Sequence, residues 1–306
     1  MDTSTPAFTL HAADYASQAK ELHAIRDAVF VAGQGIDPAL ERDADDATAL
    51  HVVACSADGQ PVGTARLVHD GRSGRIGRMA VLPDWRGRGV GSAMLDWLHA
   101  RASSLGLGEL RLHAQLPALP LYLRAGYLPA GPQVEEAGLA HLPLHRRLDG
   151  AMAVDGELAA RAALASVISN SGRALSLAAP LLDPGLLDDP LVLDALRALA
   201  ARRQPLEIRI LVDDPVAIAR RGGPLLALLQ RLPGRFQLRQ RDLGQALNAD
   251  ALAVNDRGYA FHRPDSAVPS GLAGLPWRPL GERLRTQFSN QWDQSLECAQ
   301  LRPIRL

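Results

Sequence analysis

The chain has 306 residues, enough for two domains of ordinary size, and its 47% hydrophobic content is that of a soluble globular protein. Its 33 acidic and 33 basic residues cancel, so no net field draws it to nucleic acid or to an anionic membrane. Lys20 is the only lysine, and arginine does not release its proton, which removes lysine-based general-base and Schiff-base chemistry from the rest of the chain.

Cys55 and Cys298 are too few and too far apart for a disulfide framework or a CxxC metal or redox site, and read as ordinary buried thiols; no metal is expected. The opening "MDTSTPAFTLHAADY" has no basic stretch leading into an apolar one, and no later run approaches about eighteen apolar residues, so a cytoplasmic protein without a membrane partner is expected.

Along the chain, "AFTLHAA" reads as a short strand, and "YASQAKELHAIRDAVF" as an amphipathic helix with Leu22, Ile25 and Val29 on one face. "ALHVVACS", "PVGTARLVH" and "RIGRMAVL" are strand-like and joined by turn compositions, predicting an antiparallel meander. A helix through "SAMLDWLHARASS" puts Met94, Leu95, Leu98, Ala102 and then Leu105 at helical spacing and has Ser92 near its start. Then come a strand "ELRLHAQ", a short helix "ALPLYLRAG" and a strand "HLPLHRRL", closing a first domain over residues 1–149. "DGAMAVDGE" reads as a linker. Residues 150–306 alternate helices ("LAARAALASVI", "PLVLDALRALAARR", "PLLALLQRL") with strands ("ALSLAAP", "LEIRILVDD", "FQLRQR") and a hairpin "ADALAVNDRGYAFHR". That alternation predicts an α/β layer, while the first domain, with its meander, reads as α+β. Near the end Leu284, Phe288 and Trp292 recur every four residues, a core stripe.

"WRGRGVG", Trp85 to Gly91, lies between a strand and a helix start. It lacks the lysine of a nucleotide P-loop, and the antiparallel strands before it fit a dinucleotide fingerprint poorly. A tight glycine loop at a helix mouth gathers backbone donors at the positive end of the helix dipole and binds anions.

The stretch "MAVLPDWRGRGVGSAML" resembles the acetyl-CoA signature of the GCN5-related N-acetyltransferase (GNAT) family, with Arg86, Gly89 and Gly91 at the signature positions. "RLHAQLPALPLYLRAGYLPAGPQVEEAGLAHLPL" and "IRDAVFVAGQGIDPALERDADDATALH" are similar to the ElaA-like branch, so the likeness runs from about Ala24 to Leu148. The resemblance implies a GNAT fold, with a mixed, mostly antiparallel sheet, and acetyl-CoA as co-substrate. Its diphosphate would lie on the N–H groups of Arg86, Gly87, Arg88, Gly89, Val90 and Gly91, its pantetheine along Met79, Ala80 and Val81. It further implies that Tyr122 donates to the departing sulfur. Of the candidate groups for the amine proton, Glu136 and His141 are favoured over Glu135, while His113 and Gln115 alternate toward one side and would line the acceptor. The acidic run Glu41, Asp43, Asp45 and Asp46 with His51 either attracts a cationic amine or is an ordinary solvated loop, and its spacing matches no EF-hand. Gly33 stands where ElaA-like relatives usually carry a glutamate, which puts the relatives' acceptor in doubt here.

The second half resembles one half of a phospholipase D-type domain in rhythm only. In place of His-x-Lys and Asp it has Asn248, Asp250 and Asn255, no lysine, and the single histidine His262, so hydrolysis by that route is excluded. Asp213, Asp214 and Arg263 read as polar strand ends, and the half as a module that covers, dimerises or binds a protein. The expected function is an acetyl-CoA-dependent N-acetyltransferase acting on a small or protein-borne amine. The competing expectation is a non-catalytic acetyl-CoA-binding regulator.

Overall fold

The computed structural model describes residues 8–242 and 250–301. Contacts divide the chain into two units, one built on residues up to Leu121 with Ala130–Leu148, the other on Tyr122–Pro129 and the chain from Asp149 onward.

Strand β1 (Phe8–Ala13) leads into α1 (Tyr15–Arg26), whose first turn is capped by Asp14 accepting from the Ser17 N–H, and which continues as a π-helical turn over Asp27–Ala32. Then follow α2 (Pro38–Glu41), β2 (Leu50–Ser56), β3 (Pro61–Asp70), β4 (Ser73–Val81), α3 (Val90–Ser104), β5 (Glu109–Gln115), α4 (Leu119–Arg124), β6 (Leu128–Pro129), β7 (Val134–Glu136) and β8 (Leu139–Arg147). In the first sheet β1, β2, β3, β4, β5 and β8 follow one another, with β7 paired to β8. All neighbours are antiparallel except β4 and β5, which run parallel. Leu22, Ile25 and Val29 pack as one stripe with Val53 and Ala80, while α3 buries Met94, Leu95, Leu98 and Ala102; Leu105, expected on the same stripe, is exposed because the helix ends at Ser104. Both faces of the expected meander are therefore covered by helices.

Besides Tyr122–Pro129, which carries β6, the second unit comprises β9 (Met152–Val154), α5 (Glu157–Ser169), β10 (Ala174–Ala178), α6 (Pro184–Leu187), α7 (Pro190–Ala200), β11 (Glu207–Val212), α8 (Pro215–Arg221), α9 (Pro224–Arg231), β12 (Phe236–Gln240), β13 (Ala251–Asn255), β14 (Ala260–Arg263), β15 (Gly271–Gly274), α10 (Arg278–Asp293) and β16 (Leu296–Glu297). The sheet order is β16-β12-β11-β10-β13-β14-β15-β9, with β10, β11 and β12 parallel and the other pairs antiparallel. The parallel strands read as apolar runs because both faces are buried, as Ile208, Ile210, Leu211 and Val212 are. Leu284, Phe288 and Trp292 join Leu252, Val254 and Leu280 in one core cluster.

The expected linker is not a linker. Met152 and Val154 are buried on either side of exposed Ala153, and this three-residue alternation is enough to make β9, which closes the sheet edge on β15. A pattern so short carries almost no periodic signal.

Candidate active site

After β4 the chain makes a tight turn over Pro83–Trp85 and enters α3 through Arg86–Gly89. Gly87 and Gly89 have φ of +73° and +85°, and a Cβ at either would meet nothing within 4 Å. Glycine is therefore required there by backbone handedness, not by crowding. Gly91 is the reverse case, in ordinary helical conformation, where a Cβ would stand 3.4 Å from Leu121 Cδ2 and 3.7 Å from Met79 Cε. The loop is solvent-exposed from Arg86 to Gly89, and the first-turn N–H groups of Val90, Gly91 and Ser92 precede any intrahelical carbonyl partner. Ser92 does not cap the helix: Gly89 is the N-cap residue and supplies no side chain, so the mouth stays bare. Arg86 Nε donates to the Val81 carbonyl at 3.1 Å, and the Arg88 guanidinium lies 5.1 Å from the Trp85 ring centroid. Both cations thus stay beside the mouth.

The parallel pairing of β4 with β5 covers only Ser73–Arg75 against Glu109–Arg111, although β4 runs on to Val81 and β5 to Gln115. On its other side β4 bulges: Gly77 pairs with Arg66 and Ala80 with Thr64, so Arg78 and Met79 stand against a single residue, Ala65. Arg78 takes a φ of +50° at the bulge, and its Nη2 donates to the Leu40 carbonyl and to Asp43 Oδ2, each at 3.0 Å. Met79, Ala80 and Val81 therefore lie on the part of β4 that has parted from β5.

The acceptor candidates fall on one sheet face. Directly paired antiparallel residues share a face, and the register sets Gln115 against His141, His141 against Val134, and Glu136 against Leu139, two residues from His141. His113 Nδ1 meets Glu136 Oε1 at 2.5 Å with both side chains about half exposed. Gln115 exchanges two amide hydrogen bonds of 3.0 Å with Gln34, which follows the π-helical turn. The His141 ring instead donates from Nδ1 to the carbonyl of Leu139 at 2.9 Å, and Glu135 pairs with Ala140 on the opposite face. Glu136 is thus joined to His113, a pairing that sequence spacing could not reveal because 23 residues separate the two.

The acidic run does not wait for a cationic substrate. Glu41 binds Arg26; Asp46 binds both Arg26 at 2.9 Å and Arg66 at 2.5 Å; Asp43 binds Arg66 at 2.6 Å and Arg78; Asp45 binds Arg75 at 2.5 Å. Four acids meet four arginines. The Arg66 hydrogen bond holds the Asp43 carboxyl down to about 2. Burial alone would push Asp46 up, yet the guanidiniums of Arg26 and Arg66 outweigh it and hold Asp46 below its ordinary value. His51 Nε2 donates to the Asp46 carbonyl at 2.8 Å and stacks on Tyr15, and burial lowers its basicity.

Tyr122 is buried, 6.1 Å between ring centroids from Tyr127, and burial pushes its phenol up to about 12. Cys298 is buried as expected, whereas Cys55 is only partly covered, with burial raising its thiol.

In the second unit the strand-end polar residues are tied down. Arg241 binds Asp213 at 2.5 Å and Asp250 at 3.2 Å, and Asp250 also accepts from Gln287 at 2.6 Å. Asp214 caps α8 by accepting from the Ala217 N–H. Asn255 organises the hairpin, donating to Val167 and accepting from the Arg257 and Tyr259 N–H groups. Asn248 lies outside the described residues. Among those residues no group of three His, Cys, Asp or Glu side chains is placed to hold a metal, and no helix is long and apolar enough to cross a membrane.

A meander passing into a parted parallel pair, with a bare glycine helix mouth beside the gap, is the arrangement of a GNAT acyl-transfer domain. Residues 11–148 match the acetyltransferase (GNAT) domain model, and residues 136–304 match a domain of unknown function, DUF7931. The chain belongs to the GNAT N-acetyltransferases, with DUF7931 following the acetyltransferase domain. It is 31% identical over 131 residues to a Bacillus subtilis protein named as a candidate acetyltransferase, across 42% of this chain and 88% of that one. It is 30% identical over 128 residues to the B. subtilis uncharacterised N-acetyltransferase YjcF, across 42% and 91%. Among solved structures it is similar to Escherichia coli ElaA at 26% identity, 45% and 99% coverage and a TM-score of 0.42. An acyl-CoA N-acyltransferase from Pseudomonas aeruginosa gives 25% identity, the same coverages and a TM-score of 0.42.

Proposed function

We propose that this enzyme takes acetyl-CoA between β4 and β5 and acetylates an amine bound beside His113 and Gln115. The observation that carries the reading is the coincidence of two features: β4 leaves β5 after Arg75, and the glycine mouth of α3 opens just past the end of β4. A diphosphate needs converging donors and no Cβ in the way, and Gly87, Gly89 and the first turn of α3 provide both. Arg86 and Arg88 add charge beside them. Met79, Ala80 and Val81 would run along the pantetheine. Bound there, acetyl-CoA supplies an acyl group already activated as a thioester.

The chain's own residues then have to present a neutral amine and answer the charge on sulfur. With its Nδ1–H donated to Glu136, the His113 ring has Nε2 as the acceptor for the ammonium proton, so Glu136 fixes the tautomer and His113 takes the proton. Gln115, held by Gln34, and His141 would position the amine from the same face. Tyr122 follows Leu121, whose side chain lies next to Gly91 and Met79. Raised to about 12, its phenol keeps its proton, and full transfer to a thiolate of ordinary pKa about 8.5 would be uphill by roughly 5 kcal/mol. Tyr122 would therefore act as a hydrogen-bond donor to sulfur, not as a full acid.

The order of the second unit, three parallel strands and then antiparallel β13 to β15, supports its reading as a phospholipase D-like half without hydrolytic chemistry, since His262 has no lysine beside it.

Calorimetry with acetyl-CoA, paired with thiol release across a panel of amines, tests the whole reading. One-to-one binding and turnover with at least one amine are expected; absence of binding heat refutes it.

A further inference from the structure

Within the second unit lies a cavity of about 310 Å³, past the carboxyl end of β10 and under α5 and α6. Leu164, Leu177, Leu186, Leu187, Leu252 and Phe261 make its apolar wall. Crevices beyond the carboxyl ends of parallel strands are where open α/β sheets take ligands, and a mostly apolar cavity of about 300 Å³ with a few polar groups suits a small organic molecule.

Three charged side chains line it: Asp183, Arg221 and Arg263. Arg263, itself buried, donates from Nη1 to Asp183 Oδ2 at 2.9 Å, from Nε to the Val268 carbonyl at 2.9 Å, and from Nη2 to the Ser266 carbonyl. The other oxygen of Asp183 caps α6 by accepting from the Gly185 N–H at 3.0 Å. This acid is therefore committed to Arg263 and the helix. Arg221 is different, because it donates to two neutral acceptors, the carbonyls of Leu181 at 2.7 Å and Leu182 at 2.9 Å. No carboxylate pairs with it among the described residues, and Arg221 is exposed, so its guanidinium stands at the cavity's mouth as a hydrated cation open to an anion. The segment it grips is bent: Leu182, a buried non-glycine residue, has a φ of +49°. Strain of this kind collects where a chain is shaped around a ligand.

We propose that this cavity binds a monocarboxylate with a short aliphatic body, of roughly six to eight carbons, its chain against the apolar wall and its carboxylate on Arg221. A neutral hydrocarbon would make no use of the guanidinium at the mouth. A small inorganic anion would leave the apolar wall unfilled, and a dianion would exceed the single charge on offer. Two N–H groups of Arg221 are used on the loop, and three remain for the carboxylate.

The test is isothermal titration of the whole chain with octanoate, with 1-octanol as the uncharged control. Saturable one-to-one binding is expected, at least tenfold tighter for octanoate than for octanol. Arg221→Gln should weaken octanoate at least tenfold while leaving octanol unchanged, and Arg221→Lys should recover most of the loss. Ala253→Leu, which puts side-chain volume into the cavity, should abolish binding of both, with far-UV circular dichroism reporting that each variant is folded. No saturable heat with octanoate, equal affinity for octanol, or wild-type octanoate binding by folded Arg221→Gln or Ala253→Leu overturns the proposal.

Discussion

Arg66 reaches Asp46 at 2.5 Å, and each of these side chains is only about 1% exposed. Asp46 also binds Arg26 at 2.9 Å, so one buried carboxylate bridges two buried guanidiniums that Glu41 and Asp43 each hold from one side only. Breaking such a unit from one side is far costlier than never building it, because the remaining charges have no water to turn to. Asp46→Asn should therefore destabilise the first unit by roughly 3–5 kcal/mol. Urea unfolding measures this directly, and a loss below about 1 kcal/mol would mean that Glu41 on Arg26 and Asp43 on Arg66 suffice without the bridge.

The pH dependence of stability should carry the mark of His99. Its ring is buried and takes a hydrogen bond from Arg146 Nη1 at 2.8 Å; burial first, and the Arg146 charge second, hold its pKa well below the usual value. A base that binds its proton less tightly when folded contributes its full stability above the unfolded pKa of about 6.5 and loses it as pH falls from there. His51 shifts in the same direction. The urea midpoint is expected to drop from pH 7 to pH 5, and His99→Gln to flatten that slope without removing the part due to His51. Asp43, held at about 2, adds a further loss as pH falls from about 4 toward 2, since its stabilisation exists only while it is ionised.

What the sequence could tell depended on how local each cause was. The glycines at Gly87 and Gly89 were legible because positive φ is a property of single residues. The stripes Leu22–Ile25–Val29 and Leu284–Phe288–Trp292 were legible because helical period is local too. The ion pairs of the acidic run are not legible in the sequence because its partners Arg66, Arg75 and Arg78 come from strands that only the sheet brings alongside. The same holds for Glu136, which the register of β7, β8 and β5 delivers to His113.

Gly89 offers a clean test of the helix mouth. Its φ of +85° excludes a side chain by handedness, while the space around it is open, so Gly89→Ala should fold yet disturb the loop. A left-handed alanine costs about 1–2 kcal/mol, and if the loop relieves this by turning its N–H groups away, acetyl-CoA affinity should fall roughly tenfold. Calorimetry of the variant, with its unfolding midpoint measured alongside, separates lost binding from lost stability. Unchanged affinity would place the diphosphate elsewhere.

Tyr122 should matter to turnover and not to cofactor affinity. Tyr122→Phe is expected to lower kcat roughly 100- to 1,000-fold, the range for losing a donor to developing charge, with the acetyl-CoA dissociation constant unchanged. Because the phenol sits at about 12, no alkaline break from this residue should appear in the wild-type rate below about pH 11. A break near pH 9 that vanishes in the variant would show a phenol far less buried than the fold makes it.

His113 and Glu136 make the sharpest prediction because they stand in series. His113→Gln removes the proton acceptor and should lower kcat/KM for the amine by about 10²–10⁴. Glu136→Gln leaves the ring but loosens its tautomer, and the deficit should be smaller, about tenfold. If the two act as one unit, the double variant should be no worse than His113→Gln alone, since Glu136 then has nothing left to orient. Thiol-release kinetics on the four proteins decide it: multiplicative losses would separate Glu136 from His113 and assign the carboxylate its own contact with the amine.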